Sequence, residues 1–182
     1  MNKRLFLLRH AQTLPSGEGG DKARRLSPKG EADARALGAL MRKKTYMPEV
    51  VLCSPALRTR QTFEGVARHF EHELARVEFP DALYNAPEEE LLWALREISD
   101  EVSSVLIVAH NPGIHVLAAR LAQENAPALM NRLTGGYAPG TLTVLERPEA
   151  AGWADIRAGE NPLLDLLDPL DYNAPATPAR WT

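Results

Sequence analysis

The chain of 182 residues has a single cysteine, Cys53, so no disulfide bond can form within it. It also lacks any apolar run near the roughly 20 residues that span a bilayer. The apolar stretch 5–8 is too short for a signal peptide, because Arg9 and His10 follow it directly. One cysteine and no membrane segment together favour a cytoplasmic protein with no membrane partner.

Aromatic residues are also scarce, at 6% of the sequence, and no basic run is interleaved with them. Proteins that hold nucleic acid usually combine the two features, so nucleic acid is not expected as a partner. The net charge is −3, but residues 1–60 hold 13 of the 21 Lys and Arg residues against 5 of the 24 Asp and Glu residues. A basic first third predicts an anionic ligand, and a small phosphate group fits best.

What the sequence does contain is a regular alternation of apolar strands and amphipathic helices. Strands are predicted over residues 3–8, 50–53, 75–79 and 105–109, with a closing pair over 141–145 and 153–156. Ser27-Pro28 and Ser54-Pro55 each offer a helix N-cap followed by proline. This alternation predicts an α/β three-layer sandwich, with a mostly parallel central sheet and helices on both faces.

Polar clusters follow three of the predicted strands, at the point where each strand ends. Arg9 and His10 follow the first strand, Ser54 to Arg58 follow the second, and His110 follows the fourth. Because ligands of open α/β sheets bind at the carboxyl ends of the strands, we expect these clusters to share one edge. Each side chain alone has an ordinary structural explanation. Together, two arginines, two histidines and two helix N-termini predict a site for a dianion.

The clusters resemble the motifs of the histidine phosphatase superfamily, which includes the phosphoglycerate mutases. Residues 8–13, Leu-Arg-His-x-x-Thr, are similar to its Arg-His signature, and residues 54–62 are similar to its second motif. The strand that ends at His110 resembles the third motif. The stretch 25–30 points to the SixA-type phosphohistidine phosphatase branch. The resemblance covers residues 3–156 and implies a phosphoglycerate mutase-like fold.

The resemblance also implies a role for each side chain of the clusters. His10 would be the nucleophile that attacks phosphorus, with its second ring nitrogen donating to a backbone carbonyl. Arg9 and Arg58 would bind the phosphoryl oxygens, and His110 would donate to another oxygen. No metal ion and no other cofactor are implied, because cationic side chains supply the positive charge.

Four further residues are candidates for the same site. Asp81 matches the leaving-group acid of the family, although a turn residue after Pro80 explains it equally well. Arg25 would bind substrate, or it is a surface charge in a basic loop. Thr13 and Asn111 would orient their neighbours in contact with the substrate.

Cys53 raises the alternative of a phosphatase that uses a cysteine nucleophile. That mechanism needs an arginine at the position where this sequence has Thr59. Cys53 is therefore interpreted as a buried residue at the end of a strand.

The expected function is hydrolysis of phosphohistidine on a protein, or of a small phosphomonoester, through a phosphohistidine intermediate on the enzyme. The expected partner is therefore a phosphorylated protein or a small phosphorylated metabolite. Two alternatives stay open, a phosphoglycerate mutase-like phosphotransferase and a non-catalytic module that binds phosphate or phosphoprotein. The sequence does not predict the oligomeric state.

The composition of the chain changes near its C-terminus. From Pro162 onward, prolines and aspartates surround four leucines. We therefore predict a histidine phosphatase catalytic domain over residues 1–160. A tail over residues 161–182 is predicted to lie on the surface of that domain or to be partly mobile.

Overall fold

The computed structural model describes residues 2–70 and 74–172. Within them the strands are β1 (Lys3–Arg9), β2 (Val50–Cys53), β3 (Arg76–Glu78), β4 (Ser104–Ala109), β5 (Ala122–Gln123), β6 (Leu142–Arg147) and β7 (Asn161–Leu167). The α-helices are α1 (Pro28–Lys43), α2 (Leu57–Ala67), α3 (Glu88–Arg96), α4 (Gly113–Leu121), α5 (Pro127–Gly135) and α6 (Pro169–Tyr172). In the same residues, no helix combines the length and the apolar character needed to cross a membrane.

The strands form one sheet in the order β3-β2-β4-β1-β6-β7-β5. Strands β1 to β4 run parallel, whereas β6 is antiparallel to both β1 and β7. In the register of the sheet, Arg9 is level with Ala109, and Cys53 is level with Val108. The carboxyl ends of β1, β2 and β4 therefore lie side by side at one edge of the sheet.

Both faces of the sheet are buried, because alternate strand residues point to opposite faces. Leu5 and Leu7 of β1 belong to a core shared with the buried side chains of α3 and α4. Phe6 and Leu8 belong to a second core, shared with α1 and α2. The two cores on opposite faces give the three-layer architecture that the sequence predicts.

Five predicted strands are confirmed. They are β1, β2 and β4, which the polar clusters follow, together with β3 and β6. Helix α1 begins as predicted, with the Ser27 hydroxyl accepting a hydrogen bond from the backbone N–H of Gly30 at 3.1 Å. The second predicted cap is wrong. Helix α2 begins later, after Ala56, and the Ser54 side chain makes no cap hydrogen bond to it. Ser54 is thus free for another contact.

The predicted strand over residues 153–156 is wrong, since these residues lie in turns and bends. Trp153 and Ile156 are both fully buried. The indole N–H of Trp153 donates to the carbonyl oxygen of Val102 at 2.9 Å. These two residues are apolar because their side chains fill the core, although their backbone does not pair in the sheet.

The sheet extends past residue 160, into the segment that the sequence analysis placed in a tail. Residues 161–167 form β7, which lies between β6 and β5 and buries Leu163, Leu166 and Leu167. Three further elements, β5, α5 and α6, were not predicted either. Residues 173–182 of the predicted tail lie outside the described residues.

The turn before α4 is held by a close approach between two segments of backbone. A Cβ atom added at Gly113, the first residue of α4, would lie 2.0 Å from the carbonyl oxygen of Ala86. Only glycine therefore lets the segment before α3 contact the start of α4.

Replacing Gly113 by Ala should lower the free energy of unfolding by about 1–3 kcal/mol, the usual cost of overpacking. Urea unfolding followed by circular dichroism measures this change. Gly135→Ala is the matched control, because a Cβ there meets nothing within 4 Å. Equal stability of the two variants would contradict the close approach.

Candidate active site

A pocket of about 370 Å³ lies at the carboxyl ends of β1, β2 and β4. It is lined by side chains from the ends of two strands, from the start of α2 and from two loops. The lining residues are Arg9, His10, Asp21, Arg24, Arg58, Asn85, His110 and Asn111.

His10 follows β1 and is only 7% exposed. Its Nδ1 lies 2.8 Å from the carbonyl oxygen of Ala11. Because a carbonyl can only accept, Nδ1 carries the proton and Nε2 carries a free lone pair. Burial, helped by the positive charges of Arg58 and Arg9, lowers the pKa of His10 to about 4. The imidazole is therefore neutral at pH 7, and the lone pair of its Nε2 is available as a nucleophile.

His110 follows β4, and the centre of its ring lies 5.4 Å from that of His10. Burial, and next the charge of Arg58, lowers the pKa of His110 to about 3. Its Nε2 lies 2.7 Å from the Ser54 hydroxyl, and its Nδ1 is buried without a hydrogen-bond partner. When Ser54 donates to Nε2, the proton of the neutral ring lies on Nδ1, which becomes a donor.

Three guanidinium groups supply the positive charge of the pocket. Arg9 Nη1 donates to the carbonyl oxygen of Tyr137 at 2.6 Å, and the same oxygen accepts from Asn111 Nδ2 at 3.2 Å. Arg58 is 3% exposed, and Arg24 comes from the loop between β1 and α1. Planar guanidinium groups match the geometry of phosphoryl oxygens, so the pocket suits a phosphate dianion.

Arg58 is held in place by three acceptor atoms, two of Asp21 and one of Asn85. Its Nη1 donates to the backbone oxygen of Asp21 at 2.7 Å, and its Nη2 donates to Asp21 Oδ2 at 3.0 Å. Nη2 also lies 3.2 Å from Asn85 Oδ1. These contacts fix the guanidinium plane before any substrate binds.

The structure brings five of the eight sequence-predicted residues into the pocket: Arg9, His10, Arg58, His110 and Asn111. Thr13 lies outside it, but its hydroxyl accepts a hydrogen bond from Arg24. Arg25 is exposed and does not line the pocket. Its neighbour Arg24 occupies the position that was expected for Arg25.

Asp81 does not reach the pocket. Its side chain is 90% exposed and lies 3.4 Å from Lys22 Nζ. The residue begins a 3-10 turn after Pro80, which is the alternative explanation given for it above. Its position gives no support to a role as leaving-group acid.

Sequence reasoning missed three lining residues: Asp21, Arg24 and Asn85. The position of Arg24 follows from a tertiary contact, because Thr13 and Leu26 form an isolated antiparallel bridge and Leu26 is buried. Alternation along extended backbone then turns Arg25 outward and Arg24 inward. Asn85 has a φ of 50°, a left-handed conformation that asparagine tolerates.

Comparisons with known proteins agree with this geometry. The family model of the histidine phosphatase superfamily (branch 1) matches residues 5–83. A protein of Nakamurella multipartitia, provisionally assigned as phosphohistidine phosphatase SixA, is 28% identical. The match covers 93% of this chain and 98% of that one, with a TM-score of 0.79. A protein of Agrobacterium tumefaciens with the same provisional assignment is 30% identical over 93% of this chain and 99% of that one, with a TM-score of 0.73.

A phosphoglycerate mutase of Plasmodium falciparum shares the fold, with a TM-score of 0.57 at 14% identity over 100% of this chain and 99% of that one. The fold is thus the phosphoglycerate mutase-like α/β sandwich. The chain belongs to the histidine phosphatase superfamily, in its SixA-type branch, and is a phosphatase of this type.

Cys53 lies at the end of β2 and is fully buried, with its Sγ 3.4 Å from the carbonyl oxygen of Ser54. Burial raises the pKa of its thiol well above the usual range, so the thiolate is not formed at pH 7. Cys53 does not line the pocket.

If His10 is the nucleophile that the resemblance implies, replacing it by Ala should lower kcat on p-nitrophenyl phosphate by at least about 10³-fold, since the covalent route is removed. Cys53→Ser should keep activity within about twofold, because the thiol only packs in the core. Steady-state kinetics measures both effects, and circular dichroism checks that each variant is folded. An inactive Cys53→Ser variant beside an active His10→Ala variant would refute the histidine mechanism.

Ser54→Ala should change the tautomer of the neutral His110 ring, because the hydrogen-bond partner of Nε2 is removed. We expect the ¹⁵N shifts of the His110 ring to move toward a mixture of tautomers, and kcat to fall about tenfold, or about 1.4 kcal/mol. NMR of labelled protein, with kinetics on the same sample, measures both. Unchanged ring shifts would show that Ser54 does not set the tautomer.

Proposed function

We propose that this phosphatase hydrolyses phosphohistidine on a protein, without a metal ion, through a phosphohistidine formed on His10. One observation carries the proposal. His10 is a neutral imidazole, with its Nδ1 proton held by the Ala11 carbonyl and its Nε2 free, in a pocket of three arginines.

In the first step, the lone pair of His10 Nε2 forms a bond to phosphorus, and the bond from phosphorus to the leaving atom breaks. Arg9, Arg24 and Arg58 neutralise the charge that spreads over the phosphoryl oxygens. His110 donates a hydrogen bond to one of these oxygens. Because the nucleophile is already neutral, no base is needed to remove a proton from it.

In the second step, water attacks phosphorus and the bond to His10 Nε2 breaks. The bonding electron pair returns to Nε2, and His10 leaves as a neutral imidazole because Nδ1 kept its proton. Both protons of the water end on the product, dihydrogen phosphate. The hydrogen bond from Nδ1 to Ala11 therefore serves attack and departure alike.

Positive charge in this mechanism comes from guanidinium groups, which supports a reaction that needs no metal ion. Within residues 2–70 and 74–172, no group of three or more His, Cys, Asp or Glu side chains could hold one. Chelation is the test of this part of the proposal.

The provisional assignment of two similar proteins as phosphohistidine phosphatases supports a phosphorylated protein as substrate over a small metabolite. A phosphohistidine substrate also fits the absence of Asp81 from the pocket. The P–N bond of phosphohistidine breaks readily once the imidazole ring is protonated, because the ring then leaves as a neutral imidazole. No separate acid is therefore required.

The test is a substrate panel with the full chain: a histidine-phosphorylated protein, a phosphoserine peptide and p-nitrophenyl phosphate, each with and without EDTA. We expect the highest kcat/KM on the phosphohistidine protein and no effect of EDTA. Rapid quenching should trap a phosphoenzyme that acid destroys and alkali does not.

The control for the trapping is His10→Ala, which should yield no phosphoenzyme. Loss of activity in EDTA, restored by a divalent ion, would refute the metal-free mechanism. A phosphoserine peptide hydrolysed faster than the phosphohistidine protein would refute the proposed substrate.

A further inference from the structure

The phosphate pocket contains a negative charge that the mechanism above does not use. Asp21 is the one carboxylate among the lining residues, and its side chain is 41% exposed. A carboxylate repels a phosphate dianion, and an uncharged acceptor such as Asn85 Oδ1 also orients Arg58, so the orientation of Arg58 does not by itself explain a negative charge here.

Asp21 is held firmly by its neighbours. Its Oδ2 accepts from the Tyr84 hydroxyl at 2.8 Å and from Arg58 Nη2 at 3.0 Å, and its Oδ1 accepts from Arg24 Nη1 at 3.1 Å. The hydrogen bond from Tyr84 and the charge of Arg58 lower the pKa of Asp21 to about 2. At neutral pH it is an anion with no proton to give, so it cannot be the leaving-group acid.

An anion beside the phosphate suits a substrate that is itself partly cationic. Phosphohistidine carries its phosphoryl group on one ring nitrogen, and the other ring nitrogen can carry a proton. In that form the ring is positive, and the bond to phosphorus breaks with a neutral imidazole as the leaving group. A phosphoserine has no such N–H. Its serine oxygen leaves as an alkoxide unless an acid protonates it.

We propose that the Asp21 carboxylate accepts the remote ring N–H of a substrate phosphohistidine and so selects phosphoramidates over phosphate esters. This inference rests on the proposed function. On cleavage, the electron pair of the broken P–N bond moves to the substrate nitrogen, and the remote proton stays on the ring next to Asp21. No proton has to be transferred in this step.

The proposal gives the two imidazoles of the first step the same kind of partner. The phosphoryl group moves from one imidazole to another, and each imidazole needs an acceptor for its remote N–H. For His10 that acceptor is the Ala11 carbonyl. For the incoming ring it is Asp21.

Asp21 still has an unused acceptor position. A carboxylate offers about four, and Tyr84, Arg58 and Arg24 use three of them. The other side-chain acceptors of the pocket fit less well. Asn85 Oδ1 already accepts from Arg58, and Asn111 Oδ1 is an uncharged amide oxygen, which attracts a cationic ring less strongly than a carboxylate does.

The experiment compares the wild type with Asp21→Asn on two substrates, a histidine-phosphorylated protein and p-nitrophenyl phosphate. Loss of the charge should lower kcat/KM on phosphohistidine at least tenfold more than on the ester. A role limited to positioning Arg58 would lower both values by the same factor, because both substrates carry the same phosphoryl group. An unchanged ratio of the two values therefore overturns the proposal.

Two matched variants serve as controls. Asn85→Gly removes the other acceptor of Arg58 without changing charge, and glycine accepts the φ of 50° at this position. Asp81→Asn removes a carboxylate outside the pocket. Neither should change the ratio, and a matching fall in the ratio in either variant would count against a specific contact at Asp21.

Failure of this inference can be told from failure of the proposed function. If the wild type hydrolyses the ester but not phosphohistidine, the proposed substrate is wrong. If the wild type prefers phosphohistidine and Asp21→Asn keeps that preference, the function stands and the role of Asp21 is wrong. Thermal unfolding of each variant confirms that the ratios are measured on folded protein.

Discussion

The chemistry of the site depends on keeping two buried imidazoles neutral among three guanidinium groups. Burial and the neighbouring positive charges lower the pKa values of His10 and His110 to about 4 and 3. The same charges that attract a phosphate dianion therefore add to the effect of burial and help to keep His10, the proposed nucleophile, unprotonated. A less basic pocket would bind the anion less well and would let His10 take up a proton more easily. Affinity and nucleophilicity thus arise from one electrostatic arrangement.

The fold sets up this arrangement through strand register. Arg9 and Ala109 are level in the sheet, as are Cys53 and Val108, so residues that follow three strands meet at one edge. Arg58 enters from the first turn of α2, where Asp21 and Asn85 fix its orientation. Asn111 and Arg9 share the Tyr137 carbonyl, which joins the segment after β4 to the segment after α5. The pocket is therefore built on strands and a helix, with two loops completing it.

The part of the site that could be predicted from sequence is the part fixed by strands. His10 and His110 directly follow apolar runs, and parallel strands necessarily bring their carboxyl ends together. Arg24 and Asp21 could not be located in this way, because they lie in a loop whose shape depends on tertiary contacts. The bridge between Thr13 and Leu26 is one such contact. The position of Asp81 in the chain fits either a leaving-group acid or a turn residue, and only the structure shows that its side chain faces solvent.

The fold was predicted well where burial and periodicity agree, and poorly where they conflict. β7 was not predicted because Pro162 precedes its leucines and Asp165 interrupts them, although Leu163 and Leu166 are buried. The apolar residues Trp153 and Ile156 are typical of a strand, yet they lie in turns and bends and their side chains are buried in the core. In both cases the decisive information lies in contacts with residues distant in the sequence. Local patterns do not carry it.

The burial of Cys53 has a consequence for how the enzyme responds to oxidants. Enzymes that use an exposed, low-pKa thiolate lose activity when peroxide converts that thiolate to a sulfenic or sulfinic acid. Here the chain's single thiol is fully buried at the end of β2, with its pKa raised by burial. The pocket itself is lined by nitrogen and oxygen groups without sulfur. Peroxide, which inactivates phosphatases that use a thiolate, thus finds no thiol to oxidise in the proposed catalytic pocket.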